Sequence, residues 1–242
     1  MSTGRTFVVG DLHGCVDEIS ALLDAIEPTA DDAICFLGDY VDRGPSPKGV
    51  IDRMLLLCEE GPRCTFLKGN HEDMFLAYLG YPGHHGEAFL WNGGDVTLDS
   101  YGIDVAVRDD AAKHLPPRHL EFLLNLRPWA LFDDFLCVHA GLRPTRPWDK
   151  QDEEDLLWIR EDFITAQHPY PFTVLYGHTP QRQIRVDLPY KIGLDTGLVY
   201  GNLLSCLELS RKELFQIRRG SGNVQGRSLA EEFEQSARPR NK

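Results

Sequence analysis

The sequence predicts an α/β protein built on parallel strand–helix–strand units, and three observations carry that expectation. Short apolar runs rich in β-branched and aromatic residues, at 6–9, 33–37 and 64–67, lead into glycines at Gly10, Gly38 and Gly69. Each run is followed by apolar residues at helical spacing. A polar cluster separates strand from helix each time, at the carboxyl end of the strand, where open α/β sheets build their sites.

The elements follow in order. Within 16–26, Val16, Ile19, Leu22, Leu23 and Ile26 share one helical face. Residues 50–57 read as a second helix through Val50, Ile51, Met54, Leu55 and Leu57, and 72–79 as a third. Residues 80–102 contain Tyr81-Pro82-Gly83-His84-His85-Gly86 and Asn92-Gly93-Gly94, which reads as a loop with a short helix inside it. A helix over 118–126 stops ahead of Pro128, and 129–138 form two short strands around Asp133-Asp134. Residues 152–163 read as one acidic helix. Runs at 173–176, 191–194, 203–209 and 213–217 read as strands, the last three close enough in sequence for an antiparallel meander. Beyond Arg218, glycine, serine and charge dominate, so the expected organisation is one domain over 1–218 and a loosely ordered tail over 219–242.

Composition bounds the function classes. The 242 residues are 42% hydrophobic and 26% charged, which suits one folded domain and excludes a wholly disordered chain. The 25 basic side chains face 37 acidic ones, a net charge of −12. That argues against nucleic-acid backbones and anionic membranes as partners, which need a basic face. A phosphorylated protein or small phosphoester stays open, because metal ions can hold a phosphate locally. No apolar run approaches the roughly 18 residues of a membrane span, and the first residues lack the apolar stretch of a signal peptide. The six cysteines show no CxxC spacing and read as reduced thiols, so a cytoplasmic location is expected.

Chemistry concentrates at the strand ends. Gly10-Asp11-Leu12-His13-Gly14 sets a carboxylate and an imidazole two residues apart. Gly38-Asp39-Tyr40-Val41-Asp42-Arg43-Gly44 adds two carboxylates and a guanidinium, and Gly69-Asn70-His71-Glu72 adds an amide, an imidazole and a carboxylate. Val138-His139-Ala140-Gly141 and Tyr176-Gly177-His178-Thr179 each add a histidine. Any one fragment reads equally well as a turn. Five in this order, each after an expected strand, make a site for divalent metal with oxygen and nitrogen ligands, suited to Mn²⁺, Fe or Zn²⁺.

These five blocks resemble the phosphoprotein phosphatase family of binuclear metallophosphoesterases, above all its bacterial and bacteriophage-lambda-type serine/threonine phosphatases. The resemblance runs from about Val8 to Leu209. It implies the calcineurin-like metallophosphoesterase fold, a central β-sandwich flanked by helices. It further implies that Asp11 and His13 hold a first metal, that Asp39 bridges both, and that Asn70, His139 and His178 complete the second. His71 corresponds to the family's general acid and Asp42 to the carboxylate that orients it. Arg43 corresponds to a phosphate-gripping arginine, and Arg160, in Leu157-Trp158-Ile159-Arg160, to a second. The implied reaction is in-line attack on phosphorus by a metal-bridging hydroxide, without a covalent enzyme intermediate.

Four alternatives remain. Asp42 could cap a turn and Arg160 could be an ordinary exposed residue of an acidic helix. Symmetrical diadenosine tetraphosphate hydrolases resemble the same fold and metal site. That group commonly lacks an aspartate at the place of Asp42 and has aspartate at the place of Glu72, so the pair present here points to phosphomonoesters of poor alcohols. Residues 195–201, Asp-Thr-Gly-Leu-Val-Tyr-Gly, suit both groups. Pro180, standing where many metallophosphoesterases carry another histidine, counts against cyclic-nucleotide phosphodiesterases and nucleases. A metal-free binding scaffold is the reading from another class, and it sits badly with a complete set of ligand and acid positions.

Overall fold

Among the described residues, eleven strands form two sheets that face each other. The computed structural model of the chain describes residues 4–105 and 108–236. In chain order the strands are β1 (Thr6–Val9), β2 (Ala33–Phe36), β3 (Arg63–Phe66), β4 (Trp129–Phe132), β5 (Phe135–Val138), β6 (Thr173–Tyr176), β7 (Arg185–Asp187), β8 (Lys191–Gly193), β9 (Leu203–Glu208), β10 (Glu213–Arg218) and β11 (Val224–Ser228). The helices are α1 (Val16–Ile26), α2 (Pro47–Glu60), α3 (Asn70–Tyr78), α4 (Gly94–Ser100), α5 (Pro117–Leu124), α6 (Glu153–Trp158), α7 (Glu161–Ile164) and α8 (Ala230–Ser236).

The first sheet runs β11-β10-β9-β1-β2-β3 and the second β4-β5-β6-β8-β7. Strands β1, β2 and β3 are parallel, joined by α1 and α2, as the repeated strand–glycine–helix pattern requires. Side chains alternate across the pleat with period two. Phe7 and Val9 of β1 pack toward the helices, while Val8 between them packs with Cys35, Cys137, Leu175 and Ile192 in the layer between the sheets. On the far side, Leu136, Val138, Val174 and Tyr176 of the second sheet bury against Leu156, Phe163 and Ile164 of α6 and α7. The result is a helix-flanked sandwich with three apolar layers. All six cysteines are free. No helix among the described residues is long and apolar enough to cross a membrane.

The structure corrects three expectations. The stretch read as one helix over 152–163 is two, α6 and α7. Ile159 leaves the helix with φ −60 and ψ 139, and Arg160 follows with φ −128 and ψ −102, turning the Arg160 side chain out of the helical row. The run at 191–194 does not join β9 and β10. As β8 it pairs in the second sheet, parallel to β6 and antiparallel to β7, and the meander is β9-β10-β11 instead.

The third correction concerns the tail. Residues 224–228 pair with β10, Leu229 is fully buried, and α8 follows; residues 237–242 lie outside those described. The turn before β11 is tied down because buried Glu18 of α1 accepts from the Gly220 amide at 2.8 Å and from Arg219 Nη1 at 2.5 Å. Polar composition there reflects an exposed edge strand, whose side chains face water while its backbone is paired.

Candidate metal centre

The loops that follow β1, β2 and β3 of one sheet and β5, β6 and β8 of the other meet at one end of the sandwich. They bring together Asp11, His13, Asp39, Asp42, Asn70, His71, His139, His178 and Asp195, all buried. The loops are stitched to each other through the main chain: Leu12 and His13 amides donate to the Asp39 carbonyl at 3.1 and 2.7 Å, and Gly177 N–H to the His139 carbonyl at 2.7 Å. Gly69 must be glycine for this packing, since a Cβ there would stand 2.2 Å from Asp39 Oδ1.

Asp39 is the centre. His13 Nε2 lies 3.3 Å from its Oδ2, His139 Nε2 lies 3.4 Å from its Oδ1, and the His71 amide donates to Oδ1 at 3.2 Å. Two overlapping groups share it, His13–Asp39–His71 and Asp39–His139–His178, each with its ligand atoms within 4.8 Å of one another. Asn70 Oδ1 stands 3.0 Å from His139 Nε2 and 2.9 Å from His178 Nδ1. Asp11 lies beside both groups: its Oδ2 accepts from the His178 amide at 2.9 Å.

The hydrogen bonds of this set suit a divalent metal. His13 Nδ1 lies 2.9 Å from the Val41 carbonyl and His139 Nδ1 2.8 Å from the Leu37 carbonyl. A carbonyl only accepts, so each Nδ1 carries the ring proton. Burial lowers the pKa of both rings, His13 to about 3, so both are neutral and present a bare Nε2. His139 Nε2 thus points a lone pair at two oxygens, from Asn70 and Asp39, with no proton between them. Asp11 Oδ1 and His178 Nε2 are buried without a partner. Bare imidazole nitrogens set against carboxylate and amide oxygens, beside the unpartnered Asp11 Oδ1, are satisfied by a cation, and Nδ1–H to a main-chain carbonyl is how proteins orient metal-ligating imidazoles.

The electrostatics agree. Burial pushes the Asp11 carboxyl well up, and the Asp195 and Asp39 carboxylates add to the rise. Burial likewise raises Asp195 to about 6. Burial also opposes ionisation of Asp39, and it is positive charge in the positions around it, at His139 first and then His71, His13 and His178, that outweighs burial and holds Asp39 low; with His13 and His139 neutral, a bound cation would supply that charge. Three buried carboxyls this close repel each other, and positive charge relieves that repulsion.

His71 Nδ1 and Asp42 Oδ2 are 2.5 Å apart, and Asp42 is completely buried. Burial lowers the His71 pKa, but Asp39 and Asp42 raise it more, and the net shift is upward. Arg43 Nη1 lies 3.0 Å from His13 Nε2, and Arg160 Nη1 donates to the His178 carbonyl at 3.1 Å, so one arginine stands beside each of the two groups that share Asp39.

Three residues have a structural role that the sequence reading does not assign. Glu72, fully buried, accepts four backbone amides: Asp39 and Gly69 on Oε2, both at 2.9 Å, Tyr40 and Val41 on Oε1, at 2.7 and 3.2 Å. Burial pushes its carboxyl up to about 8, yet only N–H donors face it, and the anion is the form that geometry accommodates. Its position three residues after Gly69, at the start of α3, was the available signal, since an N3 glutamate reaches back to the cap. Thr97, which holds Asp42, lies 55 residues away in sequence and gave no signal. Asp195 stood in a segment that suited both readings.

The calcineurin-like phosphoesterase family matches residues 4–207 of the sequence. The chain belongs to that family. It is therefore a metallophosphoesterase, a hydrolase of a family that works with divalent metal. Among its relatives, the symmetrical bis(5'-nucleosyl)-tetraphosphatase of Ralstonia nicotianae is 32% identical over 72% of this chain, which spans about half (54%) of that relative. Serine/threonine-protein phosphatase 1 of Salmonella typhimurium is 30% identical over 83% of this chain and 90% of its own. A crystal structure provisionally described as a diadenosine tetraphosphatase superposes with a TM-score of 0.68 at 25% identity, covering 90% of this chain and 94% of that one.

Proposed function

We propose that this metallophosphoesterase hydrolyses phosphomonoesters of poor leaving alcohols, with phosphoserine and phosphothreonine of proteins as the substrate class. The observation that carries the reading is the buried Asp42–His71 contact at 2.5 Å. An alkoxide leaves only if it is protonated as it departs, so a proton donor opposite the attacking group is decisive for such esters. His71, held cationic by Asp42, is that donor, and its Nε2 delivers the proton to the departing oxygen.

In this reading Asp11, His13 and Asp39 hold one metal and Asp39, Asn70, His139 and His178 the other. Bound there, divalent ions such as Mn²⁺ would supply Lewis-acid charge and lower the pKa of water. Arg43 and Arg160 grip the non-bridging phosphate oxygens with their guanidinium forks, and Arg43 turns from His13 to do so.

A second reading, hydrolysis of dinucleoside tetraphosphates, has two observations of its own. The relatives at 32% and 25% identity carry that description. Tyr200 is 62% exposed with its ring 5.8 Å from the Arg43 guanidinium carbon, which offers a stacking face for a nucleobase beside the phosphates. The comparatives weigh at least as much for it as for the phosphatase.

One experiment separates the two. The purified protein with Mn²⁺ is assayed side by side on a phosphothreonine peptide and on diadenosine tetraphosphate. Faster turnover of the peptide supports the phosphatase reading. Preferential cleavage of the dinucleotide replaces it, with ADP alone marking symmetrical attack and AMP plus ATP asymmetrical attack.

A further inference from the structure

We infer that Thr97 of α4 is a positioning residue for the Asp42–His71 pair. The inference rests on the general-acid reading of His71 given above. Asp42 and Arg43 are consecutive non-glycine residues in the left-handed region, with φ +68 and +67. Such a pair does not hold itself; the surroundings must hold it.

What holds it is the segment 93–97. The Arg43 amide donates to the Gly93 carbonyl at 3.2 Å. The Asp42 amide donates to Thr97 Oγ1 at 2.9 Å, and the Thr97 hydroxyl donates in turn to Asp42 Oδ1 at 2.5 Å. Thr97 is fully buried, so no water substitutes for it readily. Gly93 lies flat on Arg43: a Cβ there would come within 2.9 Å of Arg43 Cγ and 3.1 Å of its amide nitrogen.

The hydroxyl does two things that no aliphatic group can. As acceptor it satisfies the buried Asp42 amide, and as donor it occupies Oδ1, leaving Oδ2 as the oxygen presented to His71 Nδ1. With one carboxylate oxygen fixed on Thr97, the plane of the carboxylate is set, and so is the direction in which His71 points its other nitrogen. Both hydrogen bonds of the Thr97 hydroxyl go to Asp42, so it acts through Asp42.

The test is a series of phosphomonoesters graded by leaving group, from p-nitrophenyl phosphate through phenyl phosphate to an alkyl phosphate, run on the Mn²⁺-loaded protein. Thr97→Val should retain its metal content and its KM, lose little rate on p-nitrophenyl phosphate, and lose at least about tenfold more on the alkyl ester. Thr97→Ser, which keeps the hydroxyl, should follow the wild type across the series. A Thr97→Ser profile as steep as that of Thr97→Val would overturn the inference, as would equal slowing of all esters by Thr97→Val. If Thr97→Val does not fold, Thr97→Cys decides: its weaker donor should give a slope between wild type and His71→Asn, and a wild-type slope would refute the role. His71→Asn in the same series keeps the two questions apart. If it slows all esters equally, the general-acid reading fails; if it steepens the series while the Thr97 variants do not, only the role of Thr97 fails.

Discussion

Glu72→Gln is the sharpest structural test of the site, because it changes one atom and no volume. In the wild type, Oε1 accepts Tyr40 and Val41 amides and Oε2 accepts Asp39 and Gly69 amides. A carboxamide offers one oxygen, which can serve one of these pairs. Its NH₂ group then faces the other pair, donors against donors. A buried polar group left unpaired costs about 1–3 kcal/mol, so two orphaned amides cost about 2–6 kcal/mol. That is a large share of the roughly 5–15 kcal/mol that holds a domain folded. The assay is urea unfolding of the metal-free protein. The midpoint should fall while the slope stays unchanged, since the surface exposed on unfolding is the same. Exposed Glu87, whose side chain is 79% accessible, is the control, and its change to Gln should stay within about 0.5 kcal/mol. A Glu72→Gln midpoint equal to the wild type would refute the argument, because it would mean that the 39–41 turn keeps its shape without the carboxylate.

Three further outcomes are expected. Mn²⁺ should raise the melting temperature of the wild type, as any ligand of the native state does, by the equivalent of about 2.7 kcal/mol at a hundred times its dissociation constant; Asp39→Asn should lose that rise together with activity, and a wild-type Mn²⁺ shift in the variant would count against the shared carboxylate. Burial pushes the Glu18 carboxyl up, but the Gly220 amide and the Arg219 guanidinium outweigh it and leave the net shift downward. A carboxyl depressed in the folded state stabilises above its unfolded pKa of about 4.3 and loses that contribution as pH falls through the folded value; Arg219→Ala should therefore melt lower at pH 7 and lose less on acidification from about pH 5 to about pH 3, which thermal melts across that range would check. Glu27 ends α1 in the left-handed conformation at φ 43, far from the site, and Glu27→Gly should add roughly 0.5–1 kcal/mol to stability with turnover unchanged; a loss of stability would show that its side chain matters more than its backbone.

The first half of the fold was legible because two periods and a punctuation mark coincide there. Apolar residues switch from spacing two to spacing 3.6 at Gly10, Gly38 and Gly69, and each switch is also a ligand loop. The second half lacks that coincidence. Strands β5, β6 and β8 are parallel neighbours, yet their connections carry two short helices and a small antiparallel strand rather than one regular helix, so nothing local announces the pairing. Strand β8 sits close to β9 in sequence, and proximity suggested a meander that the sheet order denies. The break at Ile159–Arg160 falls in an acidic stretch with no glycine or proline to mark it.

The site divides along the same line. Residues that reach out from strand ends were found, because each stands beside a glycine in its own loop. Beyond the Gly69 amide beside it, Glu72 serves amides more than thirty positions earlier, and Thr97 serves a carboxylate 55 positions earlier; the long-range part of such roles exists only in three dimensions.

The backbone itself carries the last argument. His13, Asp39, Asp42, Arg43 and His178 all have φ between +42 and +68, and all stand in the site. Each such residue costs of order 1–3 kcal/mol where glycine would cost little, so local preference opposes the site at five places. Glycine cannot replace any of them, since each contributes the side chain that the chemistry needs. The left-handed turns are what let loops from both sheets double back and bring those side chains onto Asp39. The strain is offset by bonds that cross between loops: Leu12 and His13 amides to the Asp39 carbonyl, Glu72 to the 39–41 amides, Thr97 to Asp42 and the His178 amide to Asp11. Every one of these joins a strained residue, or the turn that holds it, to a different loop. The folded sandwich is therefore a precondition for the site rather than a platform beneath it.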